Sequence, residues 1–113
     1  MHGTAGLHDG LAGFFDPWLE KGFGVIAPSR CGYARTPIDN GRTYPEQADV
    51  YAALLDTLSV DHVIPLGVSG GGPAALQFAL RHPNRAKAVI TECATTGNFT
   101  HHQIAGLSSW STN

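Results

Sequence analysis

The feature that most constrains this chain is the run from His62 to Leu80, where one apolar stretch passes through a cluster of glycines into another. His62-Val63-Ile64-Pro65-Leu66-Gly67-Val68 reads as a strand, in which Pro65 suits only a position lacking a ladder partner. Gly71–Leu80 reads as a helix, apolar nearly all round and therefore buried, that stops before His82-Pro83. Between them Gly67-Val68-Ser69-Gly70-Gly71 must turn strand into helix within a few residues. So tight a turn needs residues without bulk two positions either side of Ser69, and it holds the serine at its apex clear of the sheet.

The rest of the chain repeats the alternation. Leu11, Phe14, Phe15, Trp18 and Leu19 fall at roughly helical spacing within residues 8–20, with Pro17 bending or restarting any helix there. Phe23–Ala27 reads as a short buried strand ended by Pro28, and residues 28–42 as a loop. Thr43-Tyr44-Pro45-Glu46 is a capping box. The helix it opens places Ala48, Tyr51, Leu54, Leu55 and Leu58 on one face, with Gln47, Asp49 and Asp56 off it. Ala86–Thr91 reads as a third strand. Residues 95–113 are rich in Thr, Ser, Asn and His, with only Ile104, Leu107 and Trp110 hinting at a helical stripe. Strands alternating with helices predict an α/β fold with parallel strands, whose working residues sit at the strands' carboxyl ends.

Composition removes several classes of function. With 113 residues, 42% hydrophobic, and a net charge of -2 from 7 Lys+Arg against 9 Asp+Glu, the chain has neither the composition of a disordered segment nor a basic surface for nucleic acid. No apolar stretch approaches the ~18 residues that suggest a membrane span, and no signal-peptide pattern opens the sequence. Cys31 and Cys93 make neither a disulfide framework nor a zinc site, so the expected compartment is the cytoplasm.

Gly67-Val68-Ser69-Gly70-Gly71 matches G-x-S-x-G, and its setting between an apolar strand and a buried helix is what that motif's mechanics require. The competing reading is a glycine-rich turn with an incidental serine. A phosphate or dinucleotide site fits less well, because the P-loop Lys-Ser/Thr and the G-x-G-x-x-G spacing are both absent. The run Leu66-Gly67-Val68-Ser69-Gly70-Gly71-Gly72-Pro73-Ala74-Ala75-Leu76-Gln77-Phe78-Ala79-Leu80-Arg81-His82-Pro83 closely resembles the nucleophile elbow and following helix of α/β-hydrolase-fold enzymes. Three further stretches agree in order. His2-Gly3-Thr4-Ala5-Gly6 resembles the family's oxyanion loop, Gly24–Tyr33 its V-I-A-P-S-R-x-G-Y segment, and Asp56-Thr57-Leu58 its D-x-L before the nucleophile strand.

That resemblance implies a three-layer α/β/α sandwich with a mostly parallel sheet, truncated at both ends. Residues 1–94 would be a partial core, and 95–113 a tail at the start of a cap or lid. The strand before His2-Gly3 would survive only as Met1, and in the related fold it lies between Phe23–Ala27 and His62–Val68. Ser69 would attack an ester or similar acyl carbonyl of a small-molecule substrate, with Gly67 and Gly71 forming the elbow. The backbone amides of Gly70 and Thr4 would form the oxyanion hole, and no metal or organic cofactor is implied. The acid and the histidine of the triad are expected outside this chain. The alternative is an inactive truncated or degenerate fragment that acts, if at all, as a binding module for a small molecule or partner.

Local stand-ins are few. Glu92 sits near the end of the third strand, where some relatives carry their acid, but one residue early, which reverses its face. It therefore reads first as a rim carboxylate. Of six histidines, His2 belongs to the oxyanion-loop stretch, His8 follows it, His62 opens a strand and His82 ends a helix. His101 and His102 lie in the tail and would need it to fold over the strand ends to reach Ser69. Cys93 reads as a small buried hydrophobe, and nothing near Cys31 argues for an activated thiol.

Overall fold

In the computed structural model, Met1, residues 13–39 and residues 41–95 are described. They form helix α1 (Asp16–Glu20), helix α2 (Tyr44–Thr57), strand β1 (Leu66–Val68), helix α3 (Gly72–Arg81) and strand β2 (Ile90–Glu92), with a 3-10 turn at Ser69–Gly71 between β1 and α3. Pro17 sits in the opening turn of the first helix and fixes where it starts, and Gly22 at φ +87° follows its end. Part of the stretch expected to be helical, residues 8–12, lies outside the described residues.

Helix α2 opens as its sequence requires. The Thr43 hydroxyl accepts from the Glu46 amide at 3.3 Å, and the Glu46 carboxylate accepts from the Thr43 amide at 3.0 Å. Ala48, Tyr51, Ala52 and Leu55 pack against Ala74 and Phe78 of α3, forming the core. The amphipathic pattern needs two corrections. Gln47, expected off the buried face, is buried because both ends of its amide are used: it donates to the Gly41 carbonyl at 3.1 Å and accepts from Arg30 at 3.4 Å. Leu58, expected on it, is 50% exposed at the helix C-cap. Leu80 is also open, at 74%, so α3 is amphipathic rather than buried all round.

Strands β1 and β2 pair in parallel, with Leu66 opposite Ile90, Gly67 opposite Thr91 and Val68 opposite Glu92. Upstream, Val63 bridges Ala86 in parallel. The three residue steps from Val63 to Leu66 thus face four from Ala86 to Ile90, a bulge in the Ala86–Ile90 strand opposite the stretch that holds Pro65. Proline has no N–H to give the ladder, and only its carbonyl is used, by the Ile90 amide at 2.9 Å. Pro65 is therefore why the strands expected over 62–68 and 86–91 shorten to β1 and β2.

The first expected strand, Phe23–Ala27, does not join the sheet among the described residues. Phe23, Val25 and Ile26 are 50%, 37% and 43% exposed, and no backbone ladder reaches residues 24–27. The physical reason is a gap. An apolar slot of about 640 Å³ separates Gly24–Pro28 from His62–Leu66 and is floored by Leu54, Leu55 and Phe78. Met1 stands at one end of it. Its amine donates to the Leu66 carbonyl at 2.6 Å, and its carbonyl accepts from the Val68 amide at 3.0 Å, the two-residue spacing of a parallel strand opposite Gly67.

Candidate active site

Ser69 lies where β1 ends and the turn into α3 begins, at the carboxyl end of the strand. Its φ is +49°, in the left-handed region that L-residues rarely occupy. Both flanks of the turn explain why no bulkier sequence serves. A Cβ on Gly67 would lie 2.7 Å from the Gly71 carbonyl oxygen, 2.8 Å from the Gly72 Cα and 2.9 Å from the Ala75 Cβ. On the far side the tight position is Gly72, where a Cβ would run into the Ala94 side chain. Gly71 is buried with an ordinary right-handed backbone, φ -83°.

Several contacts hold the turn. The Gly72 amide closes it onto the Ser69 carbonyl, which also accepts from the Thr95 amide at 3.2 Å. Just before Thr95, Cys93 adopts φ +47°, so the chain leaving β2 bends back against the elbow. Sequence reasoning missed Gly72, Ala94 and Thr95 because their role depends on how β2 lies beside β1. The Ser69 side chain is half-buried, and its hydroxyl makes no hydrogen bond among the described residues.

Gly70 follows Ser69 in the first turn, where the opening N–H groups of a helix have no intrahelical acceptor. The positive end of the α3 dipole points to the same place. Thr4, the other expected donor, lies outside the described residues, as do His2, His8, His101 and His102.

The remaining titratable groups are not gathered around Ser69. Glu92 ends β2, opposite Val68, and is exposed. His62 is exposed at the amino end of the strand region and lines the slot. His82 does pair with a carboxylate: its Nε2 is 2.8 Å from Asp49 Oδ1. Arg81 adds two hydrogen bonds to Asp49, at 2.9 and 2.6 Å, and the two partners, Arg81 foremost, hold that carboxyl down at about 2. This Asp–His pair caps the far end of α3, however. Ten residues of helix separate it from Ser69, about 15 Å at 1.5 Å per residue, so it clamps α3 to α2 and does not serve the serine. Cys31 is a buried free thiol whose pKa burial raises. Cys93 is a free thiol too, but exposed where the sequence suggested a buried one, because its left-handed bend turns it out of the strand. Among the described residues no group of three or more His, Cys, Asp or Glu is placed to hold a metal.

Known proteins share this fold. The model of the alpha/beta hydrolase fold family matches residues 1–112. An uncharacterized hydrolase of Bacillus subtilis, YcgS, is 35% identical over 69% of this chain and 28% of its own length. A 2-hydroxy-6-oxo-2,4-heptadienoate hydrolase of Pseudomonas putida is 36% identical over 74% of this chain and 31% of its own. Among solved structures, an alpha/beta hydrolase fold protein from Nakamurella multipartita superposes with a TM-score of 0.77 at 36% identity, covering 91% of this chain and 38% of that one. The chain thus spans about a third of the length of the relatives it matches. With a family match over nearly its whole length, this chain belongs to the alpha/beta hydrolase fold family.

Proposed function

We propose that this chain carries the nucleophile of a serine hydrolase acting on an ester or similar acyl bond of a small molecule. The observation that carries the reading is Ser69 at φ +49° between β1 and α3, with Gly67 unable to accept even a methyl group. Strain of this kind is kept where it positions a reacting group. The Ser69 Oγ attacks the acyl carbon while its proton passes to a histidine base. The carbonyl oxygen becomes an oxyanion held by the Gly70 amide and, in the proposal, the Thr4 amide. Collapse of that intermediate breaks the bond to the leaving group, which takes the proton. Water then releases the acyl group from Ser69 by the reverse sequence.

The histidine and its orienting carboxylate are proposed to come from outside the described residues, since His62, His82 and Glu92 are not gathered at the elbow. Relatives include a bifunctional esterase/perhydrolase of Acinetobacter calcoaceticus, 36% identical over 65% of this chain, which favours ester chemistry. The two free thiols suit a reducing cytoplasm. The test is hydrolysis of a short-chain p-nitrophenyl ester by a protein that carries this chain together with the proposed histidine and carboxylate, and by its Ser69→Ala variant. Turnover lost in the variant supports the reading, whereas equal rates in the two overturn it.

A further inference from the structure

The chain leaving β2 reaches back to the elbow, and the reaction proposed for Ser69 does not yet call on that contact. Cys93 turns the chain at φ +47°. Ala94 and the Thr95 carbonyl then lie so close to Gly72 that a Cβ there would meet both. The Thr95 amide donates to the Ser69 carbonyl at 3.2 Å, across 26 positions of sequence. The Thr95 hydroxyl lies 3.5 Å from the same oxygen, too far to add much. A left-handed residue at each end of this contact, Ser69 and Cys93, persists only where the surroundings over-determine it.

What that hydrogen bond fixes is a peptide plane. The Ser69 carbonyl and the Gly70 N–H belong to one planar trans unit, so they point in opposite directions. Holding the carbonyl toward the Thr95 and Gly72 amides therefore turns the Gly70 N–H the other way. Gly70 is buried, and its N–H has no backbone partner among the described residues. Without a side chain, Gly70 offers little resistance to rotation of the plane. The Gly72 amide restrains the carbonyl from within the same turn and moves with it, whereas Thr95 ties it to the sheet. A second donor on the carbonyl also polarises the shared amide, which strengthens the Gly70 N–H as a donor.

We propose that Thr95 is a positioning residue of the hydrolase: its backbone amide, acting through the Ser69 carbonyl, aims the Gly70 N–H at the oxyanion. The proposal rests on the reading of Ser69 as nucleophile and Gly70 as oxyanion donor. Thr95 itself touches neither substrate nor the reacting atoms. The Gly70 N–H matters most once the substrate's carbonyl oxygen carries charge. Losing the Thr95 hydrogen bond therefore lowers kcat and leaves KM nearly alone. A brace that merely stiffens the turn would instead slow every reaction at Ser69 alike.

The test uses a protein that carries this chain together with the proposed histidine and carboxylate. Thr95 is replaced by its α-hydroxy acid, which turns the peptide bond from Ala94 into an ester and removes the N–H while keeping the side chain. Each protein is given a p-nitrophenyl ester and the matching thionoester, whose sulfur is a weaker acceptor and gains less from the Gly70 N–H. Removing an oxyanion donor outright costs about 10²–10³-fold, so a misaimed one is expected to lower kcat on the oxygen ester at least about tenfold. KM stays within about twofold, and the thionoester rate falls less than about threefold. Equal losses on both esters, or an unchanged kcat while Ser69→Ala is inactive, overturn this proposal alone. Full activity in Ser69→Ala overturns the hydrolase reading and this proposal with it. The unsubstituted protein supplies a measurement that needs no variant to fold: its Thr95 amide should exchange hydrogen at least about tenfold more slowly than in an unstructured peptide. Exchange at the unstructured rate overturns the proposal.

Discussion

Replacing Ser69 by glycine is expected to make the fold more stable. Ser69 sits at φ +49°, a conformation that costs an L-residue roughly 1–2 kcal/mol and costs glycine almost nothing. Glycine forfeits about 0.5–1 kcal/mol of that gain through its freer unfolded chain. The net expectation is about 0.5–1 kcal/mol in favour of Ser69→Gly over Ser69→Ala, a comparison in which both variants lack the hydroxyl. For a domain of this size that corresponds to a few degrees, on the order of 2–6 °C, in the melting midpoint, and to about 0.5 M in urea. Paired urea titrations followed by circular dichroism measure it. Exposed Ser59, at φ +56° and remote from the turn, is the control: Ser59→Gly over Ser59→Ala carries the same sign. If Ser69→Gly is no more stable than Ser69→Ala while the Ser59 pair behaves as expected, the elbow stores no strain and the argument from its backbone fails.

Other perturbations follow from the same contacts. Gly67→Ala places a methyl inside 3 Å of two backbone atoms and the Ala75 Cβ, and a loss of about 1–3 kcal/mol or more is expected in urea unfolding. Phe78→Ala empties the centre of the α2–α3 core, where Phe78 is 1% exposed, and should cost about 3–5 kcal/mol in the same assay. Thr43→Ala removes one arm of the capping box and should cost about 1 kcal/mol. Asp49 is held at about 2 in the folded chain against an ordinary 3.8. Its stabilising effect is therefore present above about pH 4 and lost as pH falls from there toward 2. Asp49→Asn should flatten that part of an acid-unfolding profile, read by circular dichroism.

Local signals in the sequence were reliable where the cause was itself local. The capping box at Thr43 and Glu46, the stop of α3 before Pro83 and the turn at Ser69 each depend on a few adjacent residues, and each is found where the sequence places it. The parallel pairing expected from the strand–helix alternation is also present. What failed depended on neighbours. Phe23–Ala27 has the composition of a buried strand, but a strand needs a ladder, and across the slot none is offered. Pro65 was recognised as awkward, yet the bulge that accommodates it depends on the facing residues Ala86 to Ile90. Gln47 looked like a surface residue until Arg30 and Gly41 were seen to satisfy it. At the site, Gly67 was legible as a steric necessity, whereas Gly72 and Thr95 were not, because they answer to the chain leaving β2.

The account rests most heavily on Ser69 being a nucleophile, and covalent labelling tests that directly. A protein that carries this chain together with the proposed histidine and carboxylate is incubated with a fluorophosphonate probe, digested, and the adduct located by mass spectrometry. The account predicts a single adduct on the peptide containing Ser69, absent in Ser69→Ala. An adduct on another serine, or none on a chain that hydrolyses the ester, contradicts it.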